Sequence, residues 1–450
     1  MVLFENIIVW QMKILILDPT CYSDGKLFKV RKIGYFPLTL PRIAACFPSG
    51  HEILLCHERA QEVDFSQKYD LVFFSTMGSN WIRAEELSRK FLQSGAKTVA
   101  GGYSVPQFSE RMKDAFSSLV TGDAENLIPQ ILNDFQNNSL KKMYENLFPD
   151  ISSLPLPRFD LVPASIIGDV LPVEASRGCP NKCEFCSISK LYSGKFRKRD
   201  VVEVIRDIDS VVSLFKKRFI YFTDANFTAD MNHAKNILQK LKSRNIFWIA
   251  GADINCLKDD EFLILAAESG CLSLQIGFET LSAKNLHFVG KGFAAGVNYS
   301  EAIKNAHKFG VPVTALMMVG FDHDDKSTFK AIKSFVENNH ISMLVTHPVI
   351  PVPGTKLYEQ LKEQGRLLDC PPEMADGKHV IFRPVNFSAE ELERRYWQLN
   401  QRVFGMKSIL KRFFWSGVLR NIPSYAVLFV LNLIASRTSK KQLTIGDYKT

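Results

Sequence analysis

Short apolar runs alternate with amphipathic segments from residue 12 to residue 140. The runs have the length and composition of buried strands, and they lie at 13–18, 51–57, 70–75, 97–102 and 118–121. Apolar residues at helical spacing follow them at 41–47, 81–94 and 125–135. Buried strands that alternate with amphipathic helices predict a parallel sheet with helices on both faces. The segment is therefore expected to be a doubly wound, Rossmann-like α/β domain.

The same alternation resumes after a stretch rich in proline. Residues 141–165 contain Pro155, Pro157 and Pro163, which favour an extended linker. Beyond the linker, apolar runs predict six strands, at 171–175, 219–222, 247–249, 273–277, 313–319 and 343–349. Helical spacing predicts helices between them, for example at 201–215, 233–243, 259–269, 299–309 and 326–338. A second α/β domain is therefore predicted at 166–385, with its chemistry beyond the carboxyl ends of the strands.

The last segment, 386–450, predicts helices. It begins with Ser388, followed by Glu390 and Glu391, which is typical of a helix start. The apolar run 422–435 is short for a membrane span, which needs about 20 residues. The run is expected to dock as a helix on the second domain. The alternative is an interfacial helix flanked by Arg and Lys on an anionic lipid surface.

Residues 1–11 precede the first strand and have neither a basic leader nor a small-residue cleavage site. We interpret them as an N-terminal extension, with Met12 as an alternative start. Nine cysteines, an odd number with three of them clustered, do not suggest a disulfide framework, and a reducing cytoplasm is expected.

The positive charge is concentrated at the end of the chain. Eleven Lys or Arg and four Asp or Glu lie from Glu390 onward, so this segment carries +7 of the net +9. The rest of the chain is close to neutral, which argues against a nucleic-acid partner.

Cys179, Cys183 and Cys186 lie within eight residues, just after the first strand of the second domain. Thiolates packed this closely suit a soft metal or an iron–sulfur cluster. Such clusters usually take four cysteines, and no fourth lies within sixty residues, so a cluster here would keep one iron open. The alternative is structural zinc, which usually needs four ligands and paired Cys-x-x-Cys spacing.

The spacing Cys-x-x-x-Cys-x-x-Cys, with Phe185 before the last cysteine, resembles the motif of the radical S-adenosylmethionine (SAM) enzymes. The resemblance implies a [4Fe-4S] cluster on Cys179, Cys183 and Cys186, with the open iron chelating SAM close to Phe185. It also implies a partial (β/α)6 barrel at 166–385 and cleavage of SAM to a 5′-deoxyadenosyl radical. A flavodoxin- or ferredoxin-type protein is the electron donor that such a reaction needs.

Loops after the later barrel strands also resemble segments of this family. The residues that the resemblance assigns to SAM are Asp224, Asn226, Glu279 in a Gly-Phe-Glu, Gly320, Val349 and Ile350. Relatives often carry two adjacent acids after the second strand, where this chain has only Asp224. The alternative for Asp224 or Glu279 is a helix cap.

The domain at 12–140 resembles the cobalamin-binding domain of the cobalamin-dependent radical SAM enzymes. The resemblance places cobalamin on the loops after the third, fourth and fifth strands, at Ser75, Met77, Gly101, Gly102, Tyr103, Gly122 and Glu125. The Asp-x-His-x-x-Gly motif of other cobalamin proteins is absent, as it commonly is in this branch. The alternative is a retained domain that no longer binds the corrin.

The resemblance implies a methyltransferase that acts on an unactivated carbon of a small-molecule or lipid-like substrate. One alternative is an oxidative cyclase or rearrangement enzyme on the same scaffold. A second is a non-catalytic iron–sulfur sensor or electron carrier. His347, near the end of the sixth barrel strand, is a candidate for substrate contact. A cytoplasmic protein is expected, with possible peripheral contact of 386–450 with the inner face of a membrane.

Overall fold

The computed structural model describes residues 11–23 and 25–445. Two compact units divide the chain: the first runs to Pro172 and includes Asp209–Lys217, and the second comprises Val173–Ile208 and continues from Arg218. The strands are β1 Lys13–Asp18, β2 Tyr22–Ser23, β3 Lys26–Leu27, β4 Ile33–Tyr35, β5 Glu52–His57, β6 Leu71–Ser75, β7 Lys97–Gly101, β8 Ser118–Gly122, β9 Met143–Asn146, β10 Ile167–Val173, β11 Ser176–Gly178, β12 Phe196–Lys198, β13 Phe219–Phe222, β14 Phe247–Ala252, β15 Cys271–Glu279, β16 Val313–Val319 and β17 Met343–Pro348.

The α-helices are fifteen in the described residues. They are α1 Thr39–Ala44, α2 Asn80–Gln93, α3 Val105–Met112, α4 Ile128–Gln136, α5 Ser187–Tyr192, α6 Val201–Phe215, α7 Met231–Leu241, α8 Asp260–Glu268, α9 Ala283–Phe288, α10 Tyr299–Lys308, α11 Lys326–Asn338, α12 Lys356–Glu363, α13 Ala389–Val403, α14 Met406–Phe413 and α15 Ile422–Ile445.

The first unit contains a six-stranded parallel sheet in the order β5-β1-β6-β7-β8-β9. The central strand β1 is buried along Ile14–Leu17, as its continuous apolar run predicts. The predicted doubly wound fold is confirmed. The strand order reverses between β1 and β6, and ligands of such sheets bind beside this switch point, at the carboxyl edge.

The sheet has one strand more than the apolar pattern indicates. Met143–Asn146, within the predicted linker, pairs with β8 and completes the edge. Only one residue of this strand, Tyr144, is buried, and its hydroxyl donates to Asp134 at 2.7 Å. The linker prediction is therefore wrong for these four residues, because an edge strand with one apolar anchor shows no alternation.

The second unit contains the parallel strands β13 to β17, paired in chain order and separated by helices. Strand β10 leads into them, since the Thr223 amide donates to the Val173 carbonyl at 2.8 Å. These six strands confirm the predicted partial barrel. Their carboxyl ends share one edge of the sheet, and the loops that follow those ends carry the candidate site.

The C-terminal helices α13 to α15 belong to the second unit. Helix α15 docks on the barrel, as predicted: the Ser424 hydroxyl donates to the Cys271 carbonyl, and the Asn432 amide donates to the Ser342 carbonyl at 2.8 Å. The polar Asn432 in the apolar run is thus a docking residue. Within 11–23 and 25–445, no helix combines the length and apolarity that a membrane crossing needs.

Candidate active site

The cysteine loop is closed at its base by a short hairpin. Strand β11 pairs with β12, so Gly178 lies opposite Phe196, and the loop from 179 to 186 projects between them with α5. Gly178 has φ +84°, and a Cβ there would lie 2.0 Å from the Lys195 carbonyl oxygen. Only glycine fits this crossing, which fixes the start of the cysteine loop.

Two further segments hold the cysteine loop from the other side. The Glu184 amide donates to the Val289 carbonyl at 2.9 Å, and the Leu357 amide donates to the Glu184 carbonyl at 3.1 Å. The Glu184 carboxylate also pairs with the Lys356 ammonium. The loop is therefore fixed by contacts with the segment after α9 and with the first turn of α12.

The three thiols fit a cluster better than a single ion. All three are free, and burial raises the pKa of Cys179, and that of Cys183 to about 12, so a thiolate there needs a bound cation. In the part of the chain that the structure describes, no three His, Cys, Asp or Glu side chains are placed to hold one metal ion together. A zinc site requires such convergence, whereas each cysteine of an iron–sulfur cluster binds its own iron.

The loop after β13 contacts the cysteine loop through Asn226. Its amide nitrogen lies 4.0 Å from the Cys179 sulfur, and its amide oxygen accepts from the Thr228 hydroxyl at 3.1 Å. The Thr228 hydroxyl also accepts from the Asp253 amide, and Asp253 accepts from Asn181 at 3.3 Å. Asn226 is thus a donor beside the cluster position. Asp253 and Asn181 complete the contact, and the sequence motifs single out neither of them.

Asp224 has both carboxylate oxygens engaged within the protein. It accepts from the Ala175 amide at 3.0 Å and from the Ser176 hydroxyl, and it is buried. Burial raises its pKa to about 7. In this structure Asp224 supports the turn from β10 into β11, directly before the cysteine loop, and does not cap a helix.

Glu279 ends β15 in a left-handed conformation, with φ +62°. A register shift between Gly277 and Glu279 accompanies it. The buried Lys291 ammonium lies 2.7 Å from Glu279 Oε1 and 2.7 Å from the Gly277 carbonyl oxygen. Lys291 carries no motif in the sequence, and only its contacts reveal it.

Glycine at 277 has a steric reason. A Cβ there would lie 2.4 Å from Glu279 Oε1 and 2.8 Å from Lys291 Nζ. The Gly-Phe-Glu sequence therefore accommodates the ion pair, and Glu279 Oε2 makes no hydrogen bond to the described residues.

Gly320, Val349 and Ile350 lie in the loops after the last two strands. Gly320 has φ +103°, and a Cβ there would lie 2.6 Å from Leu392 and 3.3 Å from Phe382. Val349 is buried, and its amide donates to the Val319 carbonyl at 2.9 Å. Phe185 and Ile350 are half-buried. Close packing against Leu392 of α13 therefore explains why residue 320 is a glycine.

His347 lies near the end of β17 and is exposed to solvent. The surrounding protein lowers its pKa by desolvation, while the Glu279 and Asp376 charges act in the opposite direction. His347 Nδ1 lies 3.2 Å from the position that a Cβ at residue 377 would occupy. It is therefore a solvent-accessible side chain on the same edge as Glu279.

The residues expected to contact cobalamin gather at the carboxyl edge of the first sheet. Ser75, Gly101 and Gly122 are the last residues of three adjacent strands, and Met77 is 65% exposed in the loop after β6. Small residues at strand ends and one exposed apolar side chain leave this edge open to a large ligand. Tyr103 follows on the loop after β7, and Glu125 is buried in a 3-10 turn after β8.

Gly102 and Gly122 are required by the backbone at this edge. Both have positive φ, +107° and +86°. A Cβ at Gly102 would lie 2.4 Å from the Thr76 carbonyl oxygen, and one at Gly122 would lie 2.1 Å from the Asn146 carbonyl oxygen. The loops after β6 and β7 are joined by the Thr76 amide, which donates to Gly101 at 2.8 Å.

A comparison with known protein families finds a match within the second unit. Residues 173–336 match the radical SAM superfamily. Bacteriochlorophyllide d C-12(1)-methyltransferase of Chlorobaculum tepidum is 26% identical over 416 residues, 90% of this chain and 89% of that protein. Hopanoid C-2 methylase of Rhodopseudomonas palustris is 24% identical over 347 residues, 74% of this chain and 65% of that protein.

Solved structures show the same fold. TsrM, a radical SAM methyltransferase of Kitasatospora setae solved with cobalamin and a [4Fe-4S] cluster, superposes with a TM-score of 0.67 at 11% identity, over 96% of this chain and 100% of that one. OxsB, a cobalamin-dependent radical SAM enzyme solved with aqua-cobalamin, gives 0.66 at 14% identity, over 96% of this chain and 72% of that one.

Residues 173–336 therefore form a radical SAM domain. Relatives that match about nine-tenths of the chain are methyltransferases by name, and the two solved structures that share its fold, TsrM and OxsB, hold cobalamin.

Proposed function

We propose that this enzyme transfers a methyl group to an unactivated carbon of a small-molecule or lipid-like substrate, using SAM and cobalamin. The observation that carries the proposal is the grouping of Asn226, Asp253 and the loop that ends in Lys291 around the cysteine loop. Relatives that match about nine-tenths of the chain are methyltransferases by name, which supports the reaction type.

The side chains have separate tasks in this proposal. Cys179, Cys183 and Cys186 hold the cluster, and Asn226 donates to the Cys179 sulfur, which favours its thiolate. Lys291 orients Glu279 so that its free oxygen can accept from the ribose hydroxyls or the ammonium of SAM. When bound, the three cofactors supply hydrogen abstraction and the methyl group.

The proposal also includes an electron donor and a location, and the free thiols support the location. All nine cysteines are free, as suits a reducing compartment. A cytoplasmic enzyme supplied by a flavodoxin- or ferredoxin-type protein is therefore part of the proposal. The relatives named for bacteriochlorophyllide and hopanoid methylation support a large, apolar substrate.

A deuterium label tests the reaction. The anaerobically reconstituted enzyme is incubated with SAM that carries a trideuterated methyl group and with a metabolite extract from a strain that lacks the gene. The expected product gains the labelled methyl group, and the Cys183→Ala variant forms none.

The outcome that contradicts methyl transfer is a product that has lost two hydrogens and carries no label. OxsB, a cobalamin-dependent radical SAM enzyme of the same fold, supports this cyclase or rearrangement reaction as the second candidate. Formation of 5′-deoxyadenosine without any product would mean that the extract lacks the substrate. Absence of any SAM cleavage would contradict the radical mechanism.

A further inference from the structure

Helix α14 presents an apolar stripe to solvent. Met406 and Leu410 are exposed one turn apart on α14, and Phe414, directly after the last residue of the helix, is 75% exposed. The residues of α14 that face inward, Ile409 and Phe413, are buried. Exposed apolar residues in a row are unusual on a helix that already has a buried apolar face.

Helix α15 has the same two-sided character. Tyr425 and Leu428 are buried on its inner side, whereas Ile422, Val430 and Ile434 are each more than half exposed on its outer side. Leu419, in the turn between the two helices, is 73% exposed. The two helices pack together through Phe413 and Phe429, whose rings lie 5.5 Å apart. We call the seven exposed residues the C-terminal apolar face: Met406, Leu410, Phe414, Leu419, Ile422, Val430 and Ile434.

The segment that carries this face is positively charged, although Glu337 pairs with Lys411 and Glu268 lies beside Leu419 and Ile422. Residues 394–446 contain no Asp or Glu and ten Lys or Arg. Lys407 follows Met406 on α14, and Arg437 lies three residues after Ile434 on α15. Both side chains are exposed. Arg412 and Arg420, by contrast, donate to carbonyls within the unit. A cationic rim around an apolar face is complementary to an anionic surface that is apolar beneath.

We propose that the C-terminal apolar face docks on the surface of an anionic lipid bilayer. The apolar side chains enter the boundary between headgroups and acyl chains, and the Lys and Arg side chains contact the headgroup phosphates. Docking adds a partner to the proposed function and does not depend on the reaction. It would place the enzyme where a lipid-like substrate is dissolved.

Flotation of the reconstituted full-length enzyme with vesicles tests the proposal. Vesicles of phosphatidylcholine with about a third phosphatidylglycerol, a strongly anionic mixture, are compared with pure phosphatidylcholine. The wild-type protein is expected to float with the anionic vesicles and to be released by high salt. Phe414→Ser and Leu419→Ser are each expected to weaken binding about tenfold, since each removes a large exposed apolar side chain.

Matched control variants distinguish binding through the C-terminal apolar face from non-specific binding to vesicles. Val202 is an equally exposed apolar residue on α6, at 77%, and Val202→Ser should bind like the wild type. Lys407→Glu with Arg437→Glu should abolish the preference for anionic vesicles, whereas Lys68→Glu, at an exposed lysine of the first unit, should not.

Three results would overturn the proposal. The first is a wild-type protein that floats with neither vesicle. The second is a serine variant that floats as well as the wild type. The third is a dimer in sedimentation velocity that Phe414→Ser dissociates, which would assign the face to a second copy of this chain. Because none of these assays involves turnover, failure of methyl transfer would leave them unaffected.

Discussion

The Lys291 ammonium and the Glu279 carboxylate form an ion pair of 2.7 Å at the end of β15, and the pair fills the space that a side chain at residue 277 would occupy. Lys291 also donates to the Gly277 carbonyl at 2.7 Å. Glu279 adopts a left-handed conformation that costs on the order of 1 kcal/mol for a residue other than glycine. The lysine contributes to holding that conformation.

The first prediction concerns this pair. Lys291→Met should weaken SAM binding about tenfold or more, because Glu279 loses the partner that orients it and a partly buried carboxylate is left unpaired. Calorimetric titration of the anaerobic, cluster-loaded protein with SAM measures the effect. Lys284→Met, at an exposed position of α9, is the control and should bind normally. Unchanged SAM affinity in Lys291→Met would remove Glu279 from the SAM site.

The second prediction concerns the cluster. Cys183→Ala should prevent assembly of the cluster and lower 5′-deoxyadenosine formation about 100-fold or more, because a cubane with two cysteine ligands is not retained. Iron and sulfide analysis and product chromatography measure the two effects. Cys370→Ala removes a free, half-exposed thiol away from the loop and should change neither. A Cys183→Ala protein with a full iron complement would contradict the assignment.

The third prediction concerns cobalamin. Gly102→Ala should reduce cobalamin retention about tenfold or more, since the new Cβ would lie 2.4 Å from the Thr76 carbonyl oxygen and displace the loop. The corrin absorbance after desalting measures retention. Gly95→Ala is the matched control, because Gly95 also has a left-handed φ, +92°, but has no atom within 4 Å of its Cβ position. Equal cobalamin content in both variants would mean that the corrin does not rest on this loop.

The fourth prediction concerns pH. Burial raises the pKa of Asp224 to about 7, so the charged form is disfavoured in the folded state. Local stability from this group is therefore fully present below about pH 4 and is lost as the pH rises through 7. Hydrogen exchange in the peptide that contains Ala175, corrected for the intrinsic rate, should show protection that falls between pH 5 and pH 8.

Asp224→Asn provides the comparison for that experiment. Its amide can still accept from the Ala175 amide and donate to the Ser176 hydroxyl, but it does not titrate. Protection of the Ala175 peptide should then be independent of pH. A wild-type profile that is already flat would show that Asp224 keeps its charge throughout this range.

Much of the fold could be predicted from the sequence. The predicted spans 219–222 and 313–319 coincide with β13 and β16, and 201–215 and 326–338 coincide with α6 and α11. Strands β2, β3, β4 and β9 could not be predicted, since they are short and lack a clear alternation. A strand is recognised from the sequence only when several of its residues alternate between the core and solvent, and these strands have too few.

The candidate site, like the fold, could be predicted only in part from the sequence. The sequence by itself determined the elements and the kind of chemistry, because hydrophobic period and cysteine spacing are local properties of the chain. Only the tertiary structure decided that Asp224 turns back to Ala175, 49 residues earlier, and that Lys291 reaches Gly277 and Glu279. The partner of a buried charge depends on which loops meet at the edge of the sheet, and that is settled when the strands pair.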